Sequence, residues 1–495
     1  MRIRVKWLFC QIQILVSVVR FTVSEQVPHV HASQGQPGSS NINFLQISDI
    51  HLDLSATLLD LRTCSGIGSQ WAALPSDVHC DTPLPVLRSA LEAAAAHRPA
   101  FVLWTGDTAP RGAAVTRQDV LASLQAASDA FRELLPGVPV FPVLGNQDHV
   151  PASTDPGPPH NAWLTEAAAT MWADWLSKDA QAVLKWNGFY DLQVSRGLRV
   201  IALNTEVCHV KNWYAFVDQV AADEMLAWLE MTLRRAQRDG QRCLIIGHIP
   251  PGLWTGCWAD YSSRYQALVS MYSQVVIGQF FGHQHEGSFR LLRPEDAQQA
   301  AFAVTHVAPA LSGGQGQAPS FRIFTLDSHA WRVSGLRQFT ADVQEAAAGA
   351  GGTAARGQAE EDALQWVVGF EPEQQFQMPD LAAASFEQLW AAMRSNASLL
   401  AAYRHAECNG CQHVGAGQDD DSYLCGVAYV ADKPYRDCIR KAEDELVQQY
   451  TSTEHTYVLS SLYPFKVVMS YFCHHMPNLH VSDCPNAGIP PPLPV

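Results

Sequence analysis

Apolar segments of strand length alternate with longer amphipathic segments between residues 43 and 340, and this pattern predicts an α/β fold. Each strand-like segment is short and rich in β-branched, leucine or aromatic residues. These segments lie at 44–48, 101–105, 138–144, 198–204, 242–247, 275–281, 299–305, 320–326 and 330–338. Apolar residues at helical spacing predict helices at 83–95, 117–135 and 216–239. Because strands and helices alternate, we expect a core domain over residues 43–340 with an α/β core of parallel strands.

The remaining segments flank this core domain. Residues 1–24 place basic residues before an apolar run, which predicts a signal peptide. We expect a flexible leader at 25–42, an Ala- and Gly-rich linker at 341–361 and a proline-rich tail at 486–495. Between the linker and the tail, residues 362–485 predict a helical, cysteine-rich C-terminal domain. The signal peptide favours a protein that is secreted or held in a lysosome-like lumen.

Cysteine usage also favours export. The chain has 12 cysteines, of which Cys10 lies in the predicted signal peptide. We expect Cys243, inside an apolar strand, to be a buried free thiol. The other cysteines are numerous enough for a set of disulfide bonds, which persist in oxidising compartments. Asn396 begins an Asn-Ala-Ser sequence that can accept N-glycosylation.

Net charge and hydropathy argue against two classes of partner. The formal net charge of −15 disfavours binding to the phosphate backbone of a nucleic acid. The apolar run of the signal peptide is too short to span a bilayer, and no other segment reaches about 18 consecutive apolar residues. We therefore expect no transmembrane span and leave open a peripheral contact with a membrane. We also expect a monomer.

Residues of the metal-ligand type follow five of the predicted strands. Strand alternation places Asp49 and His51 on one side of the chain, although an Asp-x-His pair alone also fits a solvated turn. The full set, with each member at the end of a strand, is a much stronger signal. It comprises Asp49, His51, Asp107, Asn146, His248, His283 and His285. Carboxylate, imidazole and amide ligands in this mixture suit Zn²⁺, Mn²⁺ or Fe at a two-metal site, with Asp107 as the natural bridge.

The order of these motifs resembles the calcineurin-like metallophosphoesterases, which combine Asp-x-His, Gly-Asp, Gly-Asn-His-Asp/Glu, Gly-His and Gly-His-x-His. The closer resemblance is to the acid sphingomyelinase-like phosphodiesterases, through segments 105–107, 247–252, 278–285 and 288–290. This resemblance extends over about residues 43–440. It implies a four-layer metallophosphoesterase sandwich, in which two mixed β-sheets are flanked by helices. A helical, disulfide-rich C-terminal region would follow the sandwich.

Carried over residue by residue, the resemblance implies two groups of metal ligands that share one carboxylate. One metal would bind to Asp49, His51, Asp107 and His285, and the other to Asp107, Asn146, His248 and His283. We expect Zn²⁺, with Mn²⁺ or Fe as alternatives. A metal-bound hydroxide would attack the phosphorus of a phosphodiester such as sphingomyelin, a nucleotide or a related compound. The resemblance further implies disulfide bonds between Cys64 and Cys80 and between Cys208 and Cys257.

Two positions depart from the family pattern and bear on the activity. Gln147 stands where the family has a histidine after the metal-binding asparagine, and Arg111 stands where it often has a second histidine. Glutamine cannot donate a proton at useful acidity and arginine stays charged, so general-acid assistance worth about 10²–10⁴-fold could be missing. His149 is a candidate substitute or else a surface histidine, and Arg111 could bind phosphate through two hydrogen bonds. The alternative to an active enzyme is a weakly active or inactive homologue that captures a phosphorylated ligand.

Overall fold

Two six-stranded β-sheets form the centre of the computed structural model, which describes residues 41–57, 81–217, 219–294, 299–313, 317–342, 364–408 and 418–451. The predicted signal peptide, Cys64, Cys80, the proline-rich tail and most of the predicted leader and linker lie outside the described residues. In chain order, the strands are β1 (Asn41–Ile47), β2 (Val102–Trp104), β3 (Val140–Pro142), β4 (Tyr190–Ser195), β5 (Leu198–Ala202), β6 (Arg242–Ile246), β7 (Val276–Phe281), β8 (Ser288–Leu292), β9 (Ala303–Val307), β10 (Ser320–Asp327), β11 (Arg332–Asp342) and β12 (Gln365–Phe370). The helices are α1 (Leu84–Ala95), α2 (Arg117–Leu134), α3 (Ala162–Met171), α4 (Lys178–Asn187), α5 (Trp213–Val217), α6 (Val220–Arg238), α7 (Ala259–Met271), α8 (Pro372–Gln375), α9 (Ala383–Ser395), α10 (Ala397–Glu407), α11 (Gln418–Ala428) and α12 (Asp432–Thr451).

The order of the strands places parallel strands at the centre of the fold. The first sheet runs β12-β11-β10-β1-β2-β3, with β1, β2 and β3 parallel and the other pairs antiparallel. The second sheet runs β4-β5-β6-β7-β9-β8, with parallel pairs from β5 to β9 and antiparallel pairs at β4 and β8. Two mixed sheets flanked by helices confirm the predicted sandwich.

Both faces of the central strands are buried, which explains why their sequences are continuously apolar. Along β6, Leu244 and Ile246 belong to the core between the sheets, whereas Ile245 belongs to a second core formed with α6 and α7. The sheets meet through aromatic rings: Phe44 of β1 lies 5.3 Å from Phe280 of β7 between ring centroids. Each such buried side chain contributes about 1.5–3 kcal/mol to stability. As expected, Cys243 is a buried free thiol.

The C-terminal region differs from the prediction at its start. We predicted helical structure from residue 362, but Gln365–Phe370 forms the strand β12 and extends the first sheet along β11. Most of its side chains are exposed or half-buried, so it lacks the apolar alternation that marks a half-buried strand. From residue 372 onward the described elements are helices, and Cys408, Cys425 and Cys438 are disulfide-bonded. The described part of this region is thus helical and disulfide-rich after one additional strand.

Within the described ranges, no helix is both long enough and apolar enough to cross a bilayer.

Candidate metal centre

The seven predicted ligands all lie in loops that follow the carboxyl ends of parallel strands. Because parallel strands of both sheets end on the same side of the sandwich, these loops converge. Asp49 and His51 follow β1, Asp107 follows β2, Asn146 follows β3, His248 follows β6, and His283 and His285 follow β7. The first five of these side chains are buried, and those of His283 and His285 are half-buried.

The backbone of these loops is unusual at five of the ligands. Asp49, His51, Asp107, His283 and His285 have φ values between 44° and 75°, in the left-handed region. Such a conformation costs roughly 1–3 kcal/mol per residue other than glycine and persists only where the surroundings enforce it. The cost is consistent with a functional constraint on how these side chains are presented.

Two glycines allow the loops to approach one another. A Cβ on Gly145 would lie 2.2 Å from Oδ1 of Asp107, and a Cβ on Gly282 would lie 1.9 Å from Oγ of Ser48. Only a residue without a side chain fits at either position. The glycines before Asn146 and His283 are therefore explained by close contact.

The ligand atoms form two groups that share Asp107. In the first group, Nε2 of His51 lies 3.7 Å from Oδ2 of Asp107 and 3.1 Å from Nε2 of His285, which lies 3.4 Å from Oδ1 of Asp49. In the second group, Nε2 of His248 lies 3.2 Å from Oδ2 of Asp107 and 3.0 Å from Oδ1 of Asn146. The ligand atoms that Asp49, His51, Asp107 and His285 offer lie within 4.8 Å of one another, as do those of Asp107, His248 and His283.

The second group also includes an amide oxygen. Nδ1 of His283 lies 2.7 Å from Oδ1 of Asn146, the same oxygen that faces His248. The structure thus brings all seven predicted ligands into one site.

The chemistry of this donor set fits divalent cations. Nδ1 of His51 lies 3.1 Å from the carbonyl oxygen of Ala109, which can only accept, so Nδ1 carries the proton and Nε2 presents a lone pair. Burial and the nearby charge of Arg111 lower the pKa of His51 well below its usual range, so the ring is neutral. The Nε2 lone pair of His51 therefore lies close to Oδ2 of Asp107 and Nε2 of His285. A bound cation would stabilise this grouping of electron-rich atoms.

His248 presents the same orientation in the second group. Its Nδ1 lies 2.8 Å from the carbonyl oxygen of Thr105, so its Nε2 points at Asp107 and Asn146. Burial opposes protonation, but the Asp107 carboxylate outweighs it and raises the pKa of His248 to about 10. Metal binding requires the lone pair of Nε2, so a divalent cation at this position would replace the proton that the carboxylate favours.

Surrounding groups hold the carboxylates in place. Ser48 donates a hydrogen bond of 2.6 Å to Asp49, and the backbone N–H of Gln147 donates one of 2.7 Å to Oδ1 of Asp107. Asp148 accepts from the backbone N–H groups of Thr108, Ala109 and Gly145 and so joins the loops after β2 and β3. Such partners fix the orientation of metal ligands. We did not single out Ser48 or Asp148 from the sequence, although Asp148 occupies the last position of the Gly-Asn-His-Asp/Glu motif.

The profile of the calcineurin-like phosphoesterase family matches residues 42–287, from the first strand to the loop that carries the last two histidines. These residues belong to the calcineurin-like phosphoesterases.

Known proteins with similar sequences include several phosphodiesterases. The chain is 26% identical over 443 residues to Sphingomyelin phosphodiesterase B of Dictyostelium discoideum, with 83% of this chain and 67% of that protein covered. It is 34% identical over 257 residues to the Sphingomyelin phosphodiesterase of Homo sapiens, with 50% and 40% covered. It is 28% identical over 342 residues to the Cyclic GMP-AMP phosphodiesterase SMPDL3A of Homo sapiens, with 65% and 75% covered. The match thus spans less than half of the human sphingomyelin phosphodiesterase.

The two departures from the phosphoesterase pattern lie beside the ligand groups. Nε and the backbone N–H of Arg111 donate to the carboxylate of Asp81 at 2.8 and 2.9 Å, and the Arg111 charge is close enough to lower the pKa of His51. Gln147 is half-buried next to Asn146. His149 is not the surface histidine of the competing interpretation, since only 4% of it is exposed. Whether His149 acts in catalysis stays a prediction.

His209 is a neighbour of the site that the sequence did not reveal. It is buried, its Nδ1 lies 2.9 Å from the carboxylate of Glu206, and its ring centroid lies 5.2 Å from that of His283. The His209 ring therefore packs against one of the predicted ligands. The only signal in the sequence was the position of His209 and Glu206 near Cys208, after the strand predicted at 198–204, which ends at Ala202 in the structure.

The disulfide bond between Cys208 and Cys257 is present, as the resemblance implied. It joins the loop that carries His209 to the loop that follows His248. Replacing both cysteines by serine should lower stability by about 2–4 kcal/mol and weaken metal binding, because a ligand-bearing loop loses its anchor. Denaturant unfolding and metal titration would measure the two effects.

Cys243→Ala is the matched control, because it alters a buried cysteine that bridges no loops. It should lower stability without changing metal affinity. Unchanged metal affinity in the double serine variant would contradict the anchoring role of the disulfide.

Proposed function

We propose that this chain is a binuclear-metal phosphodiesterase that hydrolyses a phosphodiester with two bound divalent cations, most simply Zn²⁺. The observation that supports it best is the convergence of two ligand groups on Asp107, one with His51 and the other with His248. A carboxylate shared between two groups is what holds two cations about 3.5–4 Å apart in such hydrolases. The proposed ligands are Asp49, His51, Asp107, Asn146, His248, His283 and His285.

The proposed roles of the surrounding residues follow from their placement. Bound cations would supply Lewis acidity to the phosphoryl oxygens and lower the pKa of water for attack on phosphorus. Arg111 stays charged and is oriented by Asp81, so it would attract and orient the phosphate beside His51. We propose Gln147 and His149 as further residues of the catalytic site, with His149 as the candidate proton donor in place of the missing histidines.

The proposed substrate class is a phosphodiester of a lipid head group or a nucleotide. The names of the human relatives point to sphingomyelin in one case and to a cyclic dinucleotide in the other, and both compounds contain a phosphodiester. The net charge of −15 disfavours a long nucleic acid. We further propose a secreted or lysosome-like location and a monomer. The buried disulfide between Cys208 and Cys257 supports an oxidising compartment.

A second function is favoured by the two altered positions. With Gln147 and Arg111 in place of histidines, the protein would bind metal and phosphorylated ligands but turn them over slowly or not at all. The pairing of Arg111 with Asp81 supports this reading, because a tethered guanidinium serves to bind phosphate and cannot donate a proton.

Metal removal tests the proposed function. The purified protein should contain about two equivalents of metal by elemental analysis, and chelation should lower hydrolysis of bis(p-nitrophenyl) phosphate about a hundredfold or more. Added Zn²⁺ or Mn²⁺ should restore the rate. Less than about one equivalent after incubation with these metals would contradict the binuclear site. Full occupancy and tight phosphate binding without turnover would select the second function, and a panel of sphingomyelin and cyclic dinucleotides would identify the substrate class.

A further inference from the structure

A buried arginine contacts the loop that presents two of the proposed ligands. In this loop, His283 and His285 adopt φ values of 75° and 62° on either side of Gln284. The side-chain oxygen of Gln284 accepts a hydrogen bond from Nη2 of Arg290, which lies on β8. The middle residue of the strained segment is therefore connected directly to the sheet.

Arg290 is itself held rigidly. It is fully buried, and its Nη1 donates at 2.7 Å to Oγ of Ser288. Its guanidinium carbon lies 4.5 Å from the ring centroid of Trp254, a stacking geometry that favours a cation. The Trp254 ring in turn packs closely against Gly426 of α11. The contact is so close that a Cβ on Gly426 would lie 2.4 Å from the ring. The position of Arg290 thus depends on the C-terminal helices.

The C-terminal helices also place a carboxyl group near Arg290, that of Glu407, whose pKa is raised to about 7 by burial. Burial lowers the pKa of Arg290 to about 10, while the nearby Glu407 counteracts this shift. The Glu407 carboxylate accepts hydrogen bonds of 2.9 Å from Tyr403 and 2.8 Å from Tyr423. Its backbone carbonyl accepts from Gln338 of β11, so this part of α10 is fixed to the first sheet. Arg290 therefore stays charged at neutral pH in a network that spans the sheets and the C-terminal region.

We propose that Arg290 is a positioning residue for the metal centre, acting through Gln284 on His283 and His285. In this arrangement the C-terminal helices are part of the support of the site, since α11 packs against Trp254, the ring on which Arg290 stacks. The inference rests on the proposed assignment of both histidines as ligands. One histidine belongs to each ligand group, so Arg290 affects both metals.

The chain contains a matched control three residues after Arg290, just past the end of β8. Arg293 is also buried, stacks on Trp390 at 5.3 Å and pairs with Glu387 of α9. Within the described residues, its hydrogen bonds go to the side chain of Glu387 and to the backbone of Gln299 and Ala428. It therefore shares the environment of Arg290 and its link to the C-terminal helices, but not the contact with the histidine loop.

Metal titration of the full-length apoprotein separates a positioning role from a purely structural one. Zn²⁺ binding would be followed by calorimetry and Co²⁺ binding by visible absorption, which reports the geometry of the ligands. Arg290→Met should weaken the affinity of both sites by about 10–100-fold, the usual effect of losing a partner that orients metal ligands, and should change the Co²⁺ spectrum. Arg293→Met should lower the thermal midpoint but leave the affinity and the spectrum unchanged.

A second variant keeps the inference testable if Arg290→Met fails to fold. Gln284 is half-buried, so Gln284→Ala should fold and should reproduce the loss of affinity seen with Arg290→Met. Wild-type affinity in Gln284→Ala, or an equal loss in Arg293→Met, would overturn the inference. If the wild-type protein itself bound no metal, the proposed function would fail instead, so the two failures are distinguishable.

Discussion

Replacing Asp107 by asparagine should remove both metals from the protein and lower phosphodiester hydrolysis by about 10³-fold or more. Oδ1 of Asp107 accepts the backbone N–H of Gln147, while Oδ2 faces His51 and His248. An asparagine side chain has one oxygen and one NH₂ group. If the NH₂ group faces the backbone N–H of Gln147, two donors oppose each other; if it faces the two histidines, they lose the oxygen that they share. Either orientation removes the shared anion. Losing several kcal/mol of transition-state stabilisation from the metals corresponds to a rate decrease of this size.

Elemental analysis and steady-state hydrolysis would measure this effect together. Glu286→Gln is the control, because it removes one negative charge just beyond His285 without changing a proposed ligand. The control should keep about two equivalents of metal and most of the activity. An Asp107→Asn protein with both metals and an undiminished rate would contradict the bridging role.

Replacing Gln147 by histidine should raise kcat about 10²-fold for an alkyl alcohol leaving group, if the missing imidazole limits the rate. The rate for p-nitrophenolate should change little, because that group departs without a proton. The backbone N–H of Gln147 is already fixed to Asp107, so a side chain at this position starts beside the proposed bridge. Comparing the two leaving groups in one variant separates proton donation from a general gain in activity.

The accompanying variants decide which residue donates the proton. Arg111→His restores the second family histidine but leaves the half-buried Asp81 without its ion pair, so it should also destabilise the protein. Gln147→His is therefore the cleaner single change. If His149→Ala abolishes turnover while Gln147→His affects neither leaving group, then His149 is the working acid and the interpretation of an impaired enzyme is wrong.

The ligand set could be predicted from sequence because every ligand follows the end of one of five strands within a few residues. Parallel pairing then brings strand ends together, so local motifs were sufficient to propose one site. Strand β8 was missed for a physical reason that matters here. Its sequence contains Arg290, a charge that normally indicates exposure, although the residue is fully buried.

The contacts that support the site could not be predicted in the same way. Glu407 lies more than a hundred residues from Arg290, and nothing in the pattern of α10 distinguishes a buried glutamate from a solvated one. The roles of His209 and Glu206 likewise could not be predicted, because they depend on the packing of one loop against His283. Long-range pairing of buried polar groups depends on tertiary structure, whereas the strand-end motifs do not.

Each proposed ligand group takes side chains from both sheets. Asp49, His51, Asp107 and Asn146 follow strands of the first sheet, and His248, His283 and His285 follow strands of the second. A bound cation is therefore a cross-link between the two halves of the sandwich, and stability becomes a function of free metal concentration. At a hundred times the dissociation constant, one site adds about 2.7 kcal/mol to the free energy of unfolding. A chelating environment would thus weaken the whole sandwich as well as the site, and a protein that exchanges metals would change its resistance to heat and proteases with them.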